Sequence, residues 1–426
     1  MRVADHTDSP ALVVALVVAL ALALLALAPS RADAIPPFAR KYGVSCALCH
    51  QPVPRLTAFG EAFAGNGFEF AVGEIPRDTI FTGDPRLRLQ KTFPLGVRVD
   101  AYQQLLSKRA AGEASLDQQV PWTLKLLSGG QVADRISYYF YFMVSDHGEV
   151  AGLEDAYIQF TDIGKSGVSV IAGQFQVSDP LFKRELRLEY EDYQGYRVRV
   201  GEARADLTYD RGLMAFWSPR EGMDLSLQLL NGQGLDAASS VNQYDRDSQK
   251  SVVLRASQEF GPLRLGVFGY SGGETASGVT NRTRLFGPDA TLALGTRAEL
   301  NLQALRRWDS DPFYGSCSVL TPCPGGSTTP FSTTVDVAMA EVIVWPGGPT
   351  ARWFFTGLVN YIDSDDPVVS LRLGEQDSAP GFLSTYRSGS LGAHYLLRTN
   401  VRLMGEGTWD FEGERLRFVL GFTVGF

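Results

Sequence analysis

Arg415-Leu416-Arg417-Phe418-Val419-Leu420-Gly421-Phe422-Thr423-Val424-Gly425-Phe426 is the stretch that decides the fold of this chain. Large apolar side chains occupy every second position from Leu416 to Phe426, while Arg415, Arg417 and Thr423 fall between them. Because successive side chains of a β-strand point to opposite faces, one face is apolar and the other is polar or small. Soluble sandwiches also contain alternating strands, but an apolar outside with a polar inside is typical of a transmembrane β-barrel.

The same alternation recurs from residue 95 onward, within a predicted barrel domain of residues 91–426. In the segment 296–308, for example, Leu300 and Leu302 alternate with Asn301 and Gln303. An even strand number is usual for single-chain bacterial barrels, and the strand 283–293 is assigned partly because it restores the alternation of long and short connections. The all-β class follows, as an antiparallel barrel of about sixteen strands at 95–108, 119–128, 135–146, 152–161, 167–176, 205–218, 222–232, 250–260, 262–271, 283–293, 296–308, 333–345, 350–363, 384–397, 400–411 and 415–426.

The connections between these strands alternate in length. Short turns such as Gly261-Pro262 and Thr399-Asn400 are expected on the inner, periplasmic side, and long loops at 177–204, 233–249, 272–282, 309–332 and 364–383 on the outer side. The six tryptophans are expected in two interfacial girdles, with Trp217, Trp345 and Trp353 near the inner turns and Trp122, Trp308 and Trp409 near the outer ends. The charged loop 177–204 has two open interpretations: a constriction folded into the lumen, or a solvated outer loop.

The N-terminus is predicted to be a secretory signal peptide of residues 1–34. Residues 11–28 are almost entirely Ala, Leu and Val, and Ala32-Asp33-Ala34 has the small-x-small pattern of a cleavage site. An uncleaved membrane anchor is the alternative, because an 18-residue apolar run is long for a signal peptide. Cleavage after Ala34 would place the mature chain outside the cytoplasm.

The composition excludes several classes of protein. Hydrophobic residues make up 45% of the 426 residues and charged residues 20%, which argues against disorder and fibrous repeats. A formal net charge of -8, from 39 Lys+Arg against 47 Asp+Glu, argues against nucleic-acid binding. Only one apolar run approaches the length of a membrane-spanning helix, so a polytopic helical membrane protein is excluded as well.

Cys46-Ala47-Leu48-Cys49-His50 is the C-x-x-C-H motif by which haem c is attached covalently. Two thiols at this spacing form thioether bonds to the haem vinyl groups, and the adjacent His50 is the expected proximal ligand of the iron. A structural zinc site is the alternative, but it needs further ligands and the next histidine is His147. We therefore predict one covalent haem c in a small helical module of residues 35–90, with Leu56, Phe59 and Phe63 as apolar residues against the porphyrin.

The second axial ligand is missing from this module, since no Met or His occurs between Gln51 and Phe142. The iron is then five-coordinate, held by Lys41 or Lys91, or ligated from the barrel wall. If the ligand comes from the barrel wall, strand parity places His394 and Met404 on the lumen face near the inner turn, and His394 is the preferred candidate. Met143, Met214 and His147 are weaker candidates, and His394 as an ordinary hydrogen-bonded lumen residue stays open.

Cys317 and Cys323 lie in a loop rich in Gly, Pro, Ser and Thr. In an oxidising compartment, a local disulfide is the expected state, placed on the cell surface by strand parity. Free thiols and a metal-binding pair are the alternatives.

The segment from Pro37 to His50, together with Leu56–Phe63 and Gly67-Phe68, resembles the fused cytochrome–porins of the bacterial outer membrane, whose best-known members are iron oxidases. The terminal Phe426 also resembles the C-terminal signal of outer-membrane proteins. The resemblance implies a haem module in the lumen or at the periplasmic mouth of a barrel embedded in outer-membrane lipid. It further implies iron-oxidase-type electron transfer, from an extracellular donor such as Fe(II) to a periplasmic carrier such as a soluble cytochrome c. The haem role carries over to Cys46, Cys49 and His50, but no iron-site motif matches.

Two other functions remain open at this point. A solute porin would use the haem module to sense redox state or to gate the channel, and would conduct ions. A peroxidase-like enzyme would keep an open coordination position on a high-spin iron. A haem with two axial ligands favours electron transfer instead.

Overall fold

The computed structural model describes residues 37–75, 79–108, 114–348, 350–370 and 382–426. The predicted signal peptide and its cleavage point after Ala34 lie outside the described residues. The described part contains the helices α1 (Pro37–Tyr42) and α2 (Ala58–Gly65), a pair of short strands β1 (Thr79–Ile80) and β2 (Leu89–Gln90), and then a large barrel. None of the described helices has the length and apolar character needed to cross a membrane.

Sixteen antiparallel strands form a closed barrel, which confirms the predicted fold class and strand number. The ring closes between the last strand and the first, with pairs running from Arg417↔Leu106 to Gly425↔Arg98. The barrel strands are β3 Leu95–Leu106, β4 Leu116–Ala133, β5 Ile136–Asp146, β6 Gly152–Phe160, β7 Val168–Gln176, β9 Tyr209–Arg220, β10 Met223–Leu230, β11 Ser251–Phe260, β12 Leu263–Ala276, β13 Val279–Leu294, β14 Ala298–Asp309, β15 Thr333–Val344, β16 Trp353–Ser364, β18 Thr385–Arg398, β19 Val401–Asp410 and β20 Arg415–Gly425.

The outer face of the barrel is apolar, as the alternation predicts. In β20, Leu416, Phe418, Leu420 and Phe422 are exposed on the outside, whereas Arg417, Val419 and Thr423 point inward and are buried. The girdle prediction is confirmed for four tryptophans that are exposed, namely Trp217, Trp308, Trp353 and Trp409. It is wrong for Trp345, which is buried in an internal cluster, and for Trp122, which packs against another internal cluster.

The two rims of the barrel differ. We call the end with the connections 134–135, 221–222, 261–262 and 399–400 the short-turn rim, and the end with 177–208, 231–250 and 310–332 the long-loop rim. The long loop predicted at 272–282 is wrong, because β12 and β13 continue as a paired hairpin to Ala276 and Val279. The glycine and threonine residues of this stretch are typical of a loop, but their backbones pair in the antiparallel ladder between β12 and β13.

The connection 177–208, here called the inward loop, folds into the barrel. Of the two interpretations of this segment, the constriction within the lumen is therefore correct. It contains β8 (Arg199–Val200), which pairs with β17 (Val369–Ser370). Apolar residues of the loop pack against inward-facing residues of the strands and form what we call the lumen core: Val177, Leu181, Phe182, Tyr193, Tyr196 and Val198 against Val253, Phe268, Leu305, Val335, Leu358 and Ile362.

Candidate haem site

The C-x-x-C-H motif forms a tight turn. Ser45 caps a single 3-10 turn over Cys46–Leu48 by accepting a hydrogen bond from the Ala47 amide at 3.3 Å. The amides of Cys49 and His50 both donate to the carbonyl of Cys46, at 3.1 and 2.8 Å. Cys46 and Cys49 are half-buried free thiols, and burial raises the pKa of both, so they remain protonated thiols at neutral pH.

His50 is oriented by a backbone carbonyl. Its Nδ1 lies 2.8 Å from the Pro54 oxygen, which only accepts hydrogen bonds, so Nδ1 carries the proton and Nε2 the lone pair. Burial lowers the pKa of the imidazole, which favours this neutral form. A histidine that donates through one nitrogen and offers the other is the usual arrangement of a metal-ligating imidazole.

Helix α2 is hydrogen-bonded directly to the C-x-x-C-H motif, here called the haem motif. Thr57 caps the helix by accepting from the Gly60 amide at 3.1 Å, and its hydroxyl donates to the Leu48 carbonyl at 2.8 Å. Its own amide donates to the Cys49 carbonyl at 2.9 Å. A Cβ atom at Gly60 would overlap the Cys49 carbonyl, so this close approach requires glycine.

Aromatic side chains form the core of the N-terminal segment, by which we mean residues 37–75. Phe38 contacts Phe63 and Phe68, each with ring centroids 5.1 Å apart, and Tyr42 stacks on Phe70 at 4.2 Å. Phe63 is thus buried in this core. Leu48 and Phe59 remain 39% and 37% exposed, which leaves an apolar surface beside the thiols.

The N-terminal segment packs against the barrel at the short-turn rim. Phe68 stacks on Tyr139 of β5 at 5.7 Å, and Gln159 of β6 donates to the Gly65 carbonyl at 2.7 Å. Arg40 donates to the Leu95 carbonyl at 3.1 Å, where β3 begins. These contacts hold α1 and α2 against one side of the barrel wall.

Arg55 reaches a different part of the wall. It follows Pro54, whose carbonyl orients His50, and its guanidinium forms an ion pair with Glu299 of β14 and lies 3.9 Å from Glu341 of β15. The Tyr193 hydroxyl of the inward loop donates to the same Glu341 at 2.6 Å. Arg55 therefore connects the haem motif, the barrel wall and the inward loop.

His394 and Met404 point into the barrel, as strand parity predicts. They are direct cross-strand partners and both are buried. The His394 ring stacks on Phe354 at 4.7 Å, and its Nε2 lies 3.1 Å from the Thr356 hydroxyl. None of the described contacts joins either residue to Cys46, Cys49 or His50, so axial ligation by this pair stays a prediction.

The weaker ligand candidates have other partners. The Tyr141 hydroxyl donates to the Met143 sulfur at 3.4 Å, and Met214 belongs to the lumen core. His147 lies over Trp122 beyond the end of β5, with ring centroids 3.8 Å apart. Lys91 is exposed, and the Lys41 ammonium lies 5.2 Å from the Tyr42 ring.

Cys317 and Cys323 form a disulfide with an S–S distance of 2.06 Å, so the alternatives of free thiols and a metal pair are wrong. The bond lies in the loop 310–332 of the long-loop rim, and both half-cystines pack against the lumen core. Among the described residues, no group of three or more His, Cys, Asp or Glu side chains is arranged to hold a metal ion.

Sequence reasoning missed the residues that connect the N-terminal segment to the barrel. The pairing of Arg55 with Glu299 spans 244 positions, and no local pattern signals it. The alternation of β15 places Glu341 on the inward face and could have marked it as a lumen carboxylate.

The barrel is similar to solved porins. An anion-selective porin from Comamonas acidovorans superimposes with a TM-score of 0.53 at 12% identity, over 79% of this chain and 99% of that chain. The loop L8 deletion mutant of OmpT, an outer membrane protein of Vibrio cholerae, gives a TM-score of 0.52 at 11% identity over the same shares. Outer-membrane expressed OmpT gives 0.51 at 10%, over 78% and 97%. No protein-family model matches the chain, and no curated protein does. At these identities the likeness is one of fold.

Proposed function

We propose that this chain is an outer-membrane cytochrome–porin fusion that carries electrons across the membrane through a haem c bound to its N-terminal segment. The observation that carries the proposal is the C-x-x-C-H turn, in which His50 is already oriented by Pro54 and offers Nε2 beside two free thiols. The donor set fits haem c, and the exposed Leu48 and Phe59 supply apolar surface next to it. The apolar outer face of the barrel supports residence in a lipid bilayer.

The chain's own residues have distinct tasks in this proposal. Cys46 and Cys49 tether the haem, which when bound supplies one-electron transfer at its iron. Pro54 and Thr57 hold His50 and the motif in one geometry, and Arg55 fixes that geometry to the barrel wall. Since a fixed ligand set needs little rearrangement when the charge changes, such rigidity suits electron transfer.

The filled lumen supports electron transfer over solute transport. The apolar lumen core occupies space that a hydrated ion would cross in an open porin, and removing the water shell of an ion there is strongly unfavourable. Electrons need no water-filled path. By the same proposal, the short-turn rim faces the periplasm and a soluble cytochrome c or similar carrier, and the long-loop rim faces an extracellular donor such as Fe(II).

A solute porin with a haem-gated plug is the second candidate. The porin fold of the barrel favours it, since solved porins share this architecture. It requires the inward loop to leave the lumen when the haem changes oxidation state.

The test begins with haem staining on a denaturing gel and a pyridine haemochrome spectrum, compared with a variant carrying Cys46→Ala and Cys49→Ala. We expect one haem c in the wild-type chain and none in the double variant. Anaerobic titration of the holoprotein with Fe(II) then follows reduction of the haem bands. Absence of covalent haem from the wild-type chain would refute the proposal.

A further inference from the structure

Three buried side chains near the short-turn rim have hydrogen-bond donors or ring nitrogens without a partner. Arg402 of β19 is 2% exposed, and its Nε and Nη1 bond to no described atom, while its Nη2 donates weakly to Thr423 at 3.3 Å. The indole Nε1 of Trp345 and the Nδ1 of His394 are likewise buried and unpartnered.

These groups occupy one region of the lumen. Trp345 and Phe354 belong to the same apolar cluster, Phe354 stacks on His394, and His394 interacts electrostatically with Arg402. His394 and Arg402 lie on β18 and β19, and Trp345 follows the end of β15. In the order of the barrel these strands lie between β14, which Arg55 contacts, and β3, which Arg40 contacts. Both Arg55 and Arg40 belong to the N-terminal segment, which also carries Cys46 and Cys49.

The neighbouring acids Asp100 and Glu189 form no hydrogen bond with Arg402. Asp100 is already engaged by Arg98 at 3.1 Å, by Thr123 at 2.5 Å and by Thr423 at 2.7 Å. Glu189 of the inward loop accepts from the Leu188 amide through Oε2, and its Oε1 has no partner. A buried guanidinium without a close counterion is strongly unfavourable, and buried polar groups in native proteins almost always have partners.

We propose that Arg402 and Trp345 bind the propionate carboxylates of the haem attached at Cys46 and Cys49. The free Nε–H and Nη1–H of Arg402 lie on different edges of the guanidinium, so each would donate one charge-assisted hydrogen bond to a carboxylate oxygen, and the indole N–H of Trp345 adds a third donor. The propionates lie on the porphyrin edge away from the vinyl groups that the cysteines would consume, so their partners would be residues other than those around the two thiols. The inference rests on the proposed function. The same N–H groups could also bind a free carboxylate or phosphate.

The test compares Arg402→Gln and Arg402→Lys in the holoprotein, with the haem midpoint potential as the readout. A cation beside the propionates disfavours the ferric state, so Arg402→Gln lowers the potential and Arg402→Lys retains most of the wild-type value. Loss of the cation also raises the pKa of the propionates, so the potential becomes dependent on pH. The other charged or titratable groups around Arg402 are Arg98, Asp100, Tyr102, Glu189 and His394, and all are retained.

Trp345→Phe provides a second, milder variant, with Trp353→Phe on the lipid face as its control. We expect the haem midpoint potential to shift in Trp345→Phe and to stay at the wild-type value in Trp353→Phe. If Arg402→Gln does not fold, the comparison of these two variants is the test. A potential unchanged in Arg402→Gln, or in Trp345→Phe where only that variant folds, on chains that stain for haem, would overturn the inference.

Free anions are tested by melting the holoprotein in increasing acetate or inorganic phosphate. A melting temperature that rises in the wild type but not in Arg402→Gln, with an unshifted potential, would assign the site to a free anion and overturn the haem assignment. No covalent haem in the wild-type chain would instead refute the proposed function, and the two failures are distinguishable on the same gel.

Discussion

At the scale of single residues, the haem motif depends on the close approach of helix α2. Gly60 lies so close to the carbonyl of Cys49, the second cysteine of the motif, that no side chain fits between them. Thr57 adds two hydrogen bonds to the same turn, one from its amide and one from its hydroxyl. The geometry of the two cysteines is thus set by residues outside the five-residue motif.

Gly60→Ala is expected to reduce the yield of covalent haem, because the added methyl group pushes the helix away from the Cys49 carbonyl. The control is Gly65→Ala in the same helix, where a Cβ meets no atom and the substitution stabilises the helix by about 0.5–1 kcal/mol. Haem staining per chain and thermal melting measure both effects. Equal staining in the two variants would show that this contact does not position the thiols.

Arg55→Ala is expected to loosen the N-terminal segment from the barrel. It leaves the buried Glu341 and the partly buried Glu299 without this cation, at a cost of about 1–3 kcal/mol, or roughly 5- to 150-fold in the population of the undocked state. Limited proteolysis of the N-terminal segment measures this directly. Arg40→Ala, which removes only an exposed hydrogen bond to Leu95, is the control and should be cleaved at close to the wild-type rate.

At the scale of elements, strands were predictable because a barrel strand exposes every second side chain to lipid. All sixteen strands were predicted from this two-residue period, and their predicted ends differ from the observed ends by a few residues. The errors have physical causes: Gly272 and Gly273 resemble a turn but lie in a ladder, and Trp345 follows the end of β15 and turns inward. The position of the inward loop could not be predicted, since its partners are remote in sequence, as in the pair of Glu191 with Arg417.

The hairpin of β18 and β19 carries the prediction for the second axial ligand. His394 and Met404 face each other across it, on the side of the short-turn rim that ends in the turn at Thr399-Asn400. His394→Ala should change the ligand signature in magnetic circular dichroism, while Ser390→Ala, an inward residue of the same strand, should not. If the signature is unchanged, Met404 becomes the candidate ligand, and the near-isosteric Met404→Leu tests it. If neither variant changes the ligand signature, the second axial ligand does not come from this hairpin.

At the scale of the whole molecule, the barrel has the apolar outer surface of a porin, but packed side chains occupy its lumen. Sixteen strands enclose space that in an open barrel holds water. Here the inward loop packs within the lumen from the lumen core to Leu188 beside Trp345, and the N-terminal segment packs against the barrel at the short-turn rim. The disulfide Cys317–Cys323 packs on the same lumen core and ties a second loop to it.

Because the inward loop packs inside the lumen, we expect the wild-type protein to show no sustained ion conductance in a planar bilayer. Gln176 and Tyr209 are cross-strand partners, so the inward loop can be replaced by a two-residue Asn-Gly turn that continues the hairpin of β7 and β9. This variant removes much of the lumen core and should conduct. Replacement of the exposed Val319 and Leu320 by serine alters the same rim while keeping the length of the disulfide loop that packs on the core, and this variant should remain closed. Open-channel conductance of the wild-type chain would contradict a sealed barrel, and would favour a solute porin whose loop moves aside.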